Sequence, residues 1–348
     1  MPPRVALLTP FASPSVRGNA ITVARIAHGL GRRGMELRTW DLSASAERDV
    51  EAGVEAFAPA LVHAFHAYRT GPLALRLARR MEVPLLVTMT GTDANHDLFD
   101  PRRAALVRRV LEGAAAIAVF HPTVAERVAS VLPDLRERLV VVPQAVGFAS
   151  DEPVDLGARW ALPSRRVLFV FPAGIRMVKR PRFPLAPMER LAGRNPDVRL
   201  LYAGPVLDDA EGEALERAIA GRPWVRYVGV VPHAQMPSLL RQADVVLNCS
   251  ISEGGMANSV LEALALGRAV LASDIPGNRS LVDDGVTGLL FHDERDFEAA
   301  AGRLAADGAL RQRLGAAGRR HVETLYPAAR EIDGYLAVYR RLAPVPSA

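Results

Sequence analysis

Short apolar runs alternate with longer segments of helical periodicity along the chain. Continuous apolar runs are typical of strands buried on both faces of a parallel sheet, and apolar positions three and four residues apart are typical of the helices that cover it. The pattern therefore predicts an α/β protein. The predicted strands lie at residues 5–9, 36–40, 61–65, 84–89, 115–120, 139–143, 166–172, 200–204, 225–231, 245–247 and 269–272.

The composition changes near the middle of the chain, where residues 147–164 are rich in Asp, Pro and Gly and are predicted to form a loop. A chain of 348 residues with 49% hydrophobic content can bury two cores. We therefore expect two domains, at residues 1–150 and 165–325, joined by this linker.

The segment between residues 248 and 291 contains the largest group of candidate ligand-binding residues. A turn containing Glu253, Gly254 and Gly255 precedes a predicted helix, and glycines there leave the first backbone N–H groups of the helix open to a phosphate. Asn258 and Glu262 are four residues apart and share one face of that helix. A ligand with hydroxyls at both ends and phosphate between them would fit this spacing.

These residues resemble the donor-binding motif of the retaining glycosyltransferases of family 4. The resemblance implies the GT-B fold, with two Rossmann-like domains facing each other across a cleft and a C-terminal helix, residues 326–348, crossing back to the first domain. It implies that Glu262 binds the ribose and Glu253 the transferred sugar. The family usually places seven residues between the two glutamates, and this chain places eight. The same resemblance implies that the donor diphosphate binds at the N-terminus of this helix. The donor-binding residues predicted there are Gly254, Gly255, Met256, Asn258 and Ser259.

The resemblance also predicts the cations of the donor site. Lys179 is the only lysine of the chain, and it lies in the loop after the first strand of the second domain together with Arg176. In the family an Arg and a Lys in this loop neutralise the diphosphate, so Arg176 and Lys179 are predicted to be catalytic, as is Glu253. Their spacing is shorter than usual, which leaves Arg180 as a substitute. Val231, with Val230, is the candidate for the base pocket.

In the first domain, polar residues follow several predicted strands, where ligands of parallel sheets bind. Gly18 and Asn19 resemble the glycine loop that lies against the donor. Many family members carry a His where this chain has Thr90, so Asp93 becomes the catalytic candidate on this side. The acceptor-side candidates are Thr90, Asn95 and His121, and His66 is either structural or functional.

A literal G-x-G-x-x-G sequence, Gly29 to Gly34, is not read as a dinucleotide site. That site needs its glycines between a strand and the start of a helix. Here they follow a helix and lead into a strand, so we interpret them as C-terminal caps.

The predicted function is hexosyltransferase-type transfer from a nucleotide-diphosphate sugar, with UDP favoured, to an unknown small-molecule, glycan or lipid acceptor. No cofactor and no metal are expected, because no Asp-x-Asp motif is present. Two alternatives stay open. One is a selenosugar or thiosugar synthase with a chalcogen phosphate acceptor, suggested by the TGTD sequence at residues 90–93; the other is a catalytically silent nucleotide-sugar-binding or scaffold protein.

Charge and targeting signals complete the expectations. The net charge of +5 is spread along the chain, and only 6% of residues are aromatic, which argues against nucleic-acid binding. One cysteine and the lack of a signal-like N-terminus favour the cytoplasm, with a peripheral contact at the inner membrane face left open. A basic surface for such a contact would use two predicted helices, with Arg76, Arg79 and Arg80 in the first and Arg102, Arg103, Arg108 and Arg109 in the second.

Overall fold

The structure is a computed structural model that describes residues 3–12, 15, 17–148, 150–164 and 166–343. The chain divides into two compact units. The N-terminal unit comprises Met1–Ala145 and Pro327–Ala348, and the C-terminal unit comprises Val146–Tyr326. Parts of the predicted domains, linker and crossing segment lie outside the described residues, namely 1, 2, 13, 14, 16, 149, 165 and 344–348.

The N-terminal unit is a six-stranded parallel sheet with helices between its strands. The strand order is β2-β1-β3-β4-β5-β6, so the chain leaves β1 toward one side and later continues from β3 toward the other. The strands are β1 (Arg4–Thr9), β2 (Glu36–Asp41), β3 (Leu61–Phe65), β4 (Leu85–Thr88), β5 (Ala116–Val119) and β6 (Leu139–Val141). The helices are α1 (Gly18–Arg32), α2 (Glu47–Phe57), α3 (Gly71–Arg80), α4 (Ala104–Glu112) and α5 (Pro122–Val131), with a π-helix at Asp93–Asp97 and a 3₁₀ helix at Pro133–Arg138.

The C-terminal unit is a second six-stranded parallel sheet, with three strands on each side of the point where the strand order reverses. Its parallel sheet has the order β12-β11-β10-β7-β8-β9. The strands are β7 (Val167–Pro172), β8 (Val198–Ala203), β9 (Val225–Tyr227), β10 (Val245–Asn248), β11 (Ala269–Ser273) and β12 (Leu289–Phe291). The helices are α6 (Leu156–Trp160), α7 (Leu185–Arg194), α8 (Asp209–Ile219), α9 (Met236–Arg241), α10 (Asn258–Ala265), α11 (Pro276–Arg279), α12 (Glu294–Ala306) and α13 (Gly308–Leu325), with 3₁₀ turns at Met177–Lys179 and His233–Gln235.

The last helix, α14 (Ala328–Leu342), belongs to the N-terminal unit. Its Tyr339 hydroxyl lies 2.8 Å from Nδ1 of His63 on β3. Its Glu331 carboxylate accepts two bonds of 2.8 Å from the guanidinium of Arg25 on α1, and the Glu331 side chain is fully buried. The helix is thus fixed to the sheet and to α1 by buried polar contacts as well as by apolar packing.

The interpretation of the Gly29 to Gly34 sequence as C-terminal caps is wrong for its first two glycines. Gly29 and Gly31 lie inside α1, which continues to Arg32, and only Gly34 adopts a left-handed backbone, at φ 81°. A Cβ at Gly29 would lie 2.4 Å from Cδ1 of Ile332 on α14. Position 29 therefore needs a glycine because α1 and α14 approach each other closely there.

In the part of the chain that the structure describes, three of the seven arginines of the predicted basic surface form ion pairs, two of them with α2, a helix that the sequence analysis did not predict. Arg76 on α3 pairs with Glu47 and Glu51 of α2, and Arg80 pairs with Glu51 and Glu55. In the segment that precedes α4, Arg103 bonds Asp97 at 2.7 Å. Within the described ranges, no helix combines the length and the apolar character needed to cross a membrane.

Two local predictions in the C-terminal half are corrected by the structure. The predicted strand at 225–231 ends at Tyr227, and residues 228–232 form a loop instead. The segment predicted as an uninterrupted loop, 147–164, contains the short helix α6, which begins where the Asp155 side chain accepts a bond from the Ala158 N–H. The segment is thus partly ordered by a helix cap.

Candidate active site

The carboxyl edge of the C-terminal sheet brings together the loops after β7 and β10. The chain continues from these neighbouring strands toward opposite edges of the sheet, and ligands of such folds usually bind beyond the carboxyl ends of the strands at this switch point. The loop after β7 contains Arg176 and Lys179 and turns through a 3₁₀ helix. The Ile251 N–H in the loop after β10 donates to the Val178 carbonyl at 2.9 Å, which ties the two loops together.

Glu253 is held at the centre of this edge. One carboxylate oxygen, Oε1, accepts a bond from Nζ of Lys179, a bond of 3.0 Å from Nδ2 of Asn248 and a bond of 2.6 Å from Oγ of Ser250. The side chain is 10% exposed and that of Lys179 is 15% exposed. Gly277 at the start of α11 packs so closely that a Cβ there would lie 2.5 Å from Cβ of Glu253.

The environment of Glu253 keeps it ionised. Burial raises the pKa of its carboxyl, but the charge and hydrogen bond of Lys179 and the bonds from Ser250 and Asn248 outweigh burial, so the pKa lies below its usual value. The carboxylate and ammonium form a pair at the switch point. The sequence predicted a sugar contact for Glu253; the structure shows that one of its oxygens already has three internal donors.

The other two predicted cations have different surroundings. Arg176 is half-buried, and its carbonyl accepts the Lys179 N–H at 3.0 Å as the 3₁₀ turn begins. Arg180 ends that turn at φ 50°, and its guanidinium carbon lies 4.1 Å from the ring centroid of Phe183. Its stacking fixes Arg180 against the fold, which leaves Lys179 as the cation placed beside Glu253.

The glycine turn leads into α10 as predicted. Gly255 has φ 124°, and its carbonyl accepts a 2.8 Å bond from Oγ of Ser280. Helix α10 begins without a side-chain cap and without an acidic residue in its first turn. This arrangement suits an anion, because neither a side-chain cap nor a first-turn carboxylate offsets the positive end of the helix dipole. Of the predicted donor contacts here, Met256 is buried, whereas Gly254, Asn258 and Ser259 are half-buried.

Glu262 lies one helical turn after Asn258 and meets a residue that the sequence analysis did not select. Its Oε1 is 3.3 Å from Nε2 of His233, in the 3₁₀ turn that follows β9. The Phe148 ring stacks on the His233 ring at a centroid distance of 6.4 Å. Val231, the predicted base-pocket residue, is 4% exposed and precedes this turn by two positions, whereas Val230 is 51% exposed.

In the N-terminal unit, Asp93 organises the loop after β4. Its side chain is fully buried. Oδ1 accepts backbone bonds from Thr90 at 3.0 Å, Gly91 at 2.8 Å and Ala94 at 3.2 Å, and Oδ2 accepts one from Ala67 at 2.8 Å. This geometry makes Asp93 a structural anchor of the loop and leaves its side chain no exposed oxygen for the catalytic role that the sequence suggested.

His66 is the strained member of the same region. It adopts φ 88° directly after β3, a conformation that costs energy for a residue with a side chain. Its Nε2 lies 2.8 Å from Oγ1 of Thr92 and 3.8 Å from a carboxylate oxygen of Asp97. Both His66 and Asp97 are buried, so we interpret them as structural supports of the loop after β4.

The predicted acceptor-side residues lie nearer the surface. Thr90 is half-buried and contributes its N–H to Asp93. The Asn95 amide oxygen accepts a 2.7 Å bond from Arg127. His121 caps α5 through Nδ1, which accepts the Thr123 N–H, and burial lowers the pKa of its imidazole.

Gly18 and Asn19 are the first two residues of α1, beyond the carboxyl end of β1. Gly18 is exposed. The amide oxygen of Asn19 is buried and accepts no hydrogen bond within the described part of the chain.

Sequence reasoning missed three polar partners of the donor-side residues: Asn248, Ser250 and His233. Asn248 and Ser250 alternate with the apolar Cys249 at the end of β10, so their position at a strand terminus was a usable signal. His233 lies in the segment that follows β9 and contacts Glu262 of α10. No local sequence pattern predicts this contact.

Solved structures show which fold these two sheets form. The chain resembles sucrose-phosphate synthase of Thermosynechococcus elongatus with a TM-score of 0.81 at 21% identity, covering 98% of this chain and 99% of that one. It resembles Anabaena HepE, determined in complex with UDP and glucose, with a TM-score of 0.78 at 14% identity, covering 98% and 100%. With two Rossmann-like parallel sheets, the chain has the GT-B fold.

Family models match both halves of the chain. Residues 4–145 match a glycosyl transferase 4-like domain, and residues 165–307 match glycosyl transferases group 1. A glycosyltransferase 1 domain-containing protein 1 from Xenopus tropicalis is 26% identical over 326 residues, 91% of this chain and 92% of that protein. A D-inositol 3-phosphate glycosyltransferase from Kribbella flavida is 27% identical over 281 residues, 74% of this chain and 66% of that protein. The chain is a glycosyltransferase of this group 1 and group 4-like type.

Proposed function

We propose that this glycosyltransferase transfers a sugar from UDP-sugar to an acceptor with retention at the anomeric carbon and without a metal ion. The observation that carries the proposal is the Lys179–Glu253 pair at the switch point of the C-terminal sheet. The uncapped start of α10 follows in the same loop. A diphosphate leaving group needs positive charge that is already in place when its bond breaks.

The residues divide the task by chemistry. Lys179 and Arg176 supply cationic donors for the diphosphate, and the backbone from Gly254 to Asn258 supplies N–H groups at the positive end of α10. Glu262, oriented by His233, is the hydroxyl acceptor for the ribose. Glu253 serves by holding Lys179 in position, and its second oxygen is the one that is left for the sugar.

The choice of UDP rests on the fold neighbours. HepE structures contain UDP, UDP with glucose, and UDP-glucose. The retained cation, carboxylates and glycine turn favour an active enzyme over a silent binding protein.

The first test is calorimetric titration of the full chain with UDP, GDP and ADP in the presence of a chelator. We expect one of them, UDP, to bind, and we expect Glu262→Gln to weaken that binding by about tenfold, the loss of one charge-assisted hydrogen bond. Glu216→Gln, an exposed glutamate on α8, is the matched control. Equal affinity in the wild type and Glu262→Gln would show that the ribose binds elsewhere.

The second test measures turnover as hydrolysis of the UDP-sugar by water, which needs no knowledge of the acceptor. Lys179→Met should lower kcat by roughly 30- to 1,000-fold, equivalent to about 2–4 kcal/mol of transition-state stabilisation. Arg295→Met, at an exposed arginine of α12, removes one positive charge from the same unit and should leave the rate unchanged. A rate within about twofold of wild type in Lys179→Met would refute the role of the pair in catalysis.

A further inference from the structure

Asn278 is a fully buried polar side chain that the proposed function does not use. It lies in α11, which begins three positions after the last residue of β11. Its amide nitrogen, Nδ2, is within hydrogen-bond distance of three acceptors: the Ser273 carbonyl at 2.9 Å, Oγ of Ser273 at 3.1 Å and Oδ1 of Asn248 at 3.3 Å. Because Asn248 ends β10 and Ser273 ends β11, Asn278 joins the ends of two neighbouring strands.

Backbone partners fix the orientation of both asparagine amides. A carbonyl oxygen only accepts hydrogen bonds, so the Ser273 carbonyl requires the nitrogen end of the Asn278 amide. The Ser250 N–H donates to Oδ1 of Asn248 at 3.1 Å, which leaves the nitrogen end of that amide to face Glu253. The donors therefore run in one direction, from Asn278 toward the Glu253 carboxylate.

Two routes of hydrogen bonds lead from Asn278 to the carboxylate. In the first, Asn278 donates to Asn248, whose Nδ2 donates to Oε1 of Glu253 at 3.0 Å. In the second, Asn278 donates to Oγ of Ser273, which donates to the Ser250 carbonyl at 2.6 Å. Oγ of Ser250 then donates to the same Oε1 at 2.6 Å. Both of these donors to Oε1 thus depend on one buried side chain.

The oxygen end of the Asn278 amide does not explain why an asparagine is present. Its Oδ1 is buried and accepts no hydrogen bond from the residues that the structure describes. A buried acceptor without a donor destabilises the folded state. Fold stability alone therefore does not account for this asparagine, and the role of its nitrogen end at the two strand ends does.

We infer that Asn278 is a positioning residue of the active site, which holds the Glu253 carboxylate and thereby the Lys179 ammonium in place. Oε1 of Glu253 accepts the bond from Lys179 as well as the two bonds that Asn278 supports, so a rotation of the carboxylate would move the ammonium with it. An ammonium stabilises a departing diphosphate best when it is already in position as the bond breaks. The inference rests on the proposed function for its effect on turnover, whereas its effect on Lys179 can be measured without substrate.

The first test uses the fact that Lys179 is the only lysine of the chain. Full-length protein labelled with ¹³C-lysine therefore gives one set of lysine side-chain NMR signals. The two Hε protons of a lysine have different chemical shifts when the side chain is held and a common shift when it rotates freely. We expect different Hε shifts in the wild type, and Hε shifts that move together, toward those of Glu253→Gln, in Asn278→Ala.

Two controls separate positioning from a general loss of stability. Leu191→Ala removes buried apolar contacts from α7 of the same unit. Asn195→Ala removes another asparagine side chain of the unit, whose Oδ1 accepts a backbone N–H next to β8. Both variants should keep the Lys179 signals of the wild type, because neither side chain belongs to the two routes.

Narrower variants keep the test decisive if Asn278→Ala does not fold. Ser273→Ala and Asn248→Ala each interrupt one route, so each should move the two Hε shifts part of the way together. Unchanged Hε shifts in Asn278→Ala, or in both single-route variants, would overturn the inference. A common Hε shift in the wild type would overturn it as well, because Lys179 would then not be held at all.

The second test measures whether this position matters for the reaction. Asn278→Ala should lower kcat for hydrolysis of the UDP-sugar by about 10- to 100-fold and should change KM by less than about threefold. In the Glu253→Gln background the same substitution should change kcat by less than about twofold, because the carboxylate that it positions is gone. An equal loss in both backgrounds would assign Asn278 a purely structural role and overturn the inference.

Comparison with Lys179→Met separates this inference from the proposed function. If Lys179→Met lowers kcat and Asn278→Ala leaves it unchanged, the positioning role is refuted. If Lys179→Met leaves kcat unchanged, the proposed function is contradicted instead, and the NMR signals of Lys179 still decide whether Asn278 holds the pair.

Discussion

His63 makes the stability of the N-terminal unit depend on pH in a way that can be worked out from its surroundings. The imidazole is fully buried between Tyr339 of α14, 2.8 Å from Nδ1, and Thr88 of β4, 2.7 Å from Nε2. Burial lowers its pKa from 6.5 to about 3. The folded protein therefore keeps this histidine neutral at pH values where the unfolded chain protonates it.

The sign and size follow from proton linkage. Because the folded pKa is below the unfolded pKa, the unfolded state binds the extra proton as pH falls, and stability decreases between pH 6.5 and about 3. Each pH unit in that window costs about 1.4 kcal/mol, so acidification from pH 6.5 to 5 removes about 2 kcal/mol through His63 alone. The contribution of this histidine to the pH dependence fades above pH 6.5 and is nearly absent about one pH unit higher.

The assay compares urea unfolding of wild type and His63→Gln from pH 5 to 7.5. Of the three tryptophans, Trp40 lies in the N-terminal unit, and Trp160 and Trp224 lie in the C-terminal unit. Replacement of the latter two by Phe makes fluorescence report on the N-terminal unit. Other groups titrate in both proteins, so the difference between the two stability curves isolates His63, and a difference that stays constant with pH would refute the reasoning.

Two further predictions concern the docking of α14. Glu331→Gln should cost about 3–5 kcal/mol of unfolding free energy, because the buried guanidinium of Arg25 loses its charged partner. Asp333→Asn, in an exposed ion pair with Arg33, should cost less than about 1 kcal/mol. Equal urea midpoints for the two variants would contradict this prediction. Gly29→Ala should lower the unfolding free energy by about 1–3 kcal/mol, because the added Cβ would clash with Ile332. Gly31→Ala, with no atom within 4 Å of the added Cβ, should raise it by about 0.5–1 kcal/mol. Thermal unfolding that ranks these two variants in the opposite order would show that α1 and α14 do not pack closely at Gly29.

Local pattern was enough to predict eleven of the twelve described strands, all but β12, and the site elements that lie close together in sequence. The turn with Gly254 and Gly255, the helix that follows it, and the shared face of Asn258 and Glu262 all depend on residues within a few positions of each other. Lys179 could be selected because it is the only lysine and follows a predicted strand.

Residues that depend on distant partners could not be assigned in this way. Asp93 reads as a polar candidate at a strand end, but the backbone N–H groups that surround it come from the fold of its own loop and of Ala67 after β3. Gly29 reads as a cap, although its neighbour, Ile332, is some 300 positions away.

The sequence by itself determined that this protein is α/β and that its strands are buried and parallel, since these properties follow from periodicity over short distances. The tertiary structure decided which of those polar groups have internal partners. It pairs Glu253 with Lys179 across 74 positions and Glu262 with His233 across 29, and it brings Asn278 to Asn248 across 30. Such pairings depend on strand order, because only the order of strands in a sheet determines which loops meet at its edge.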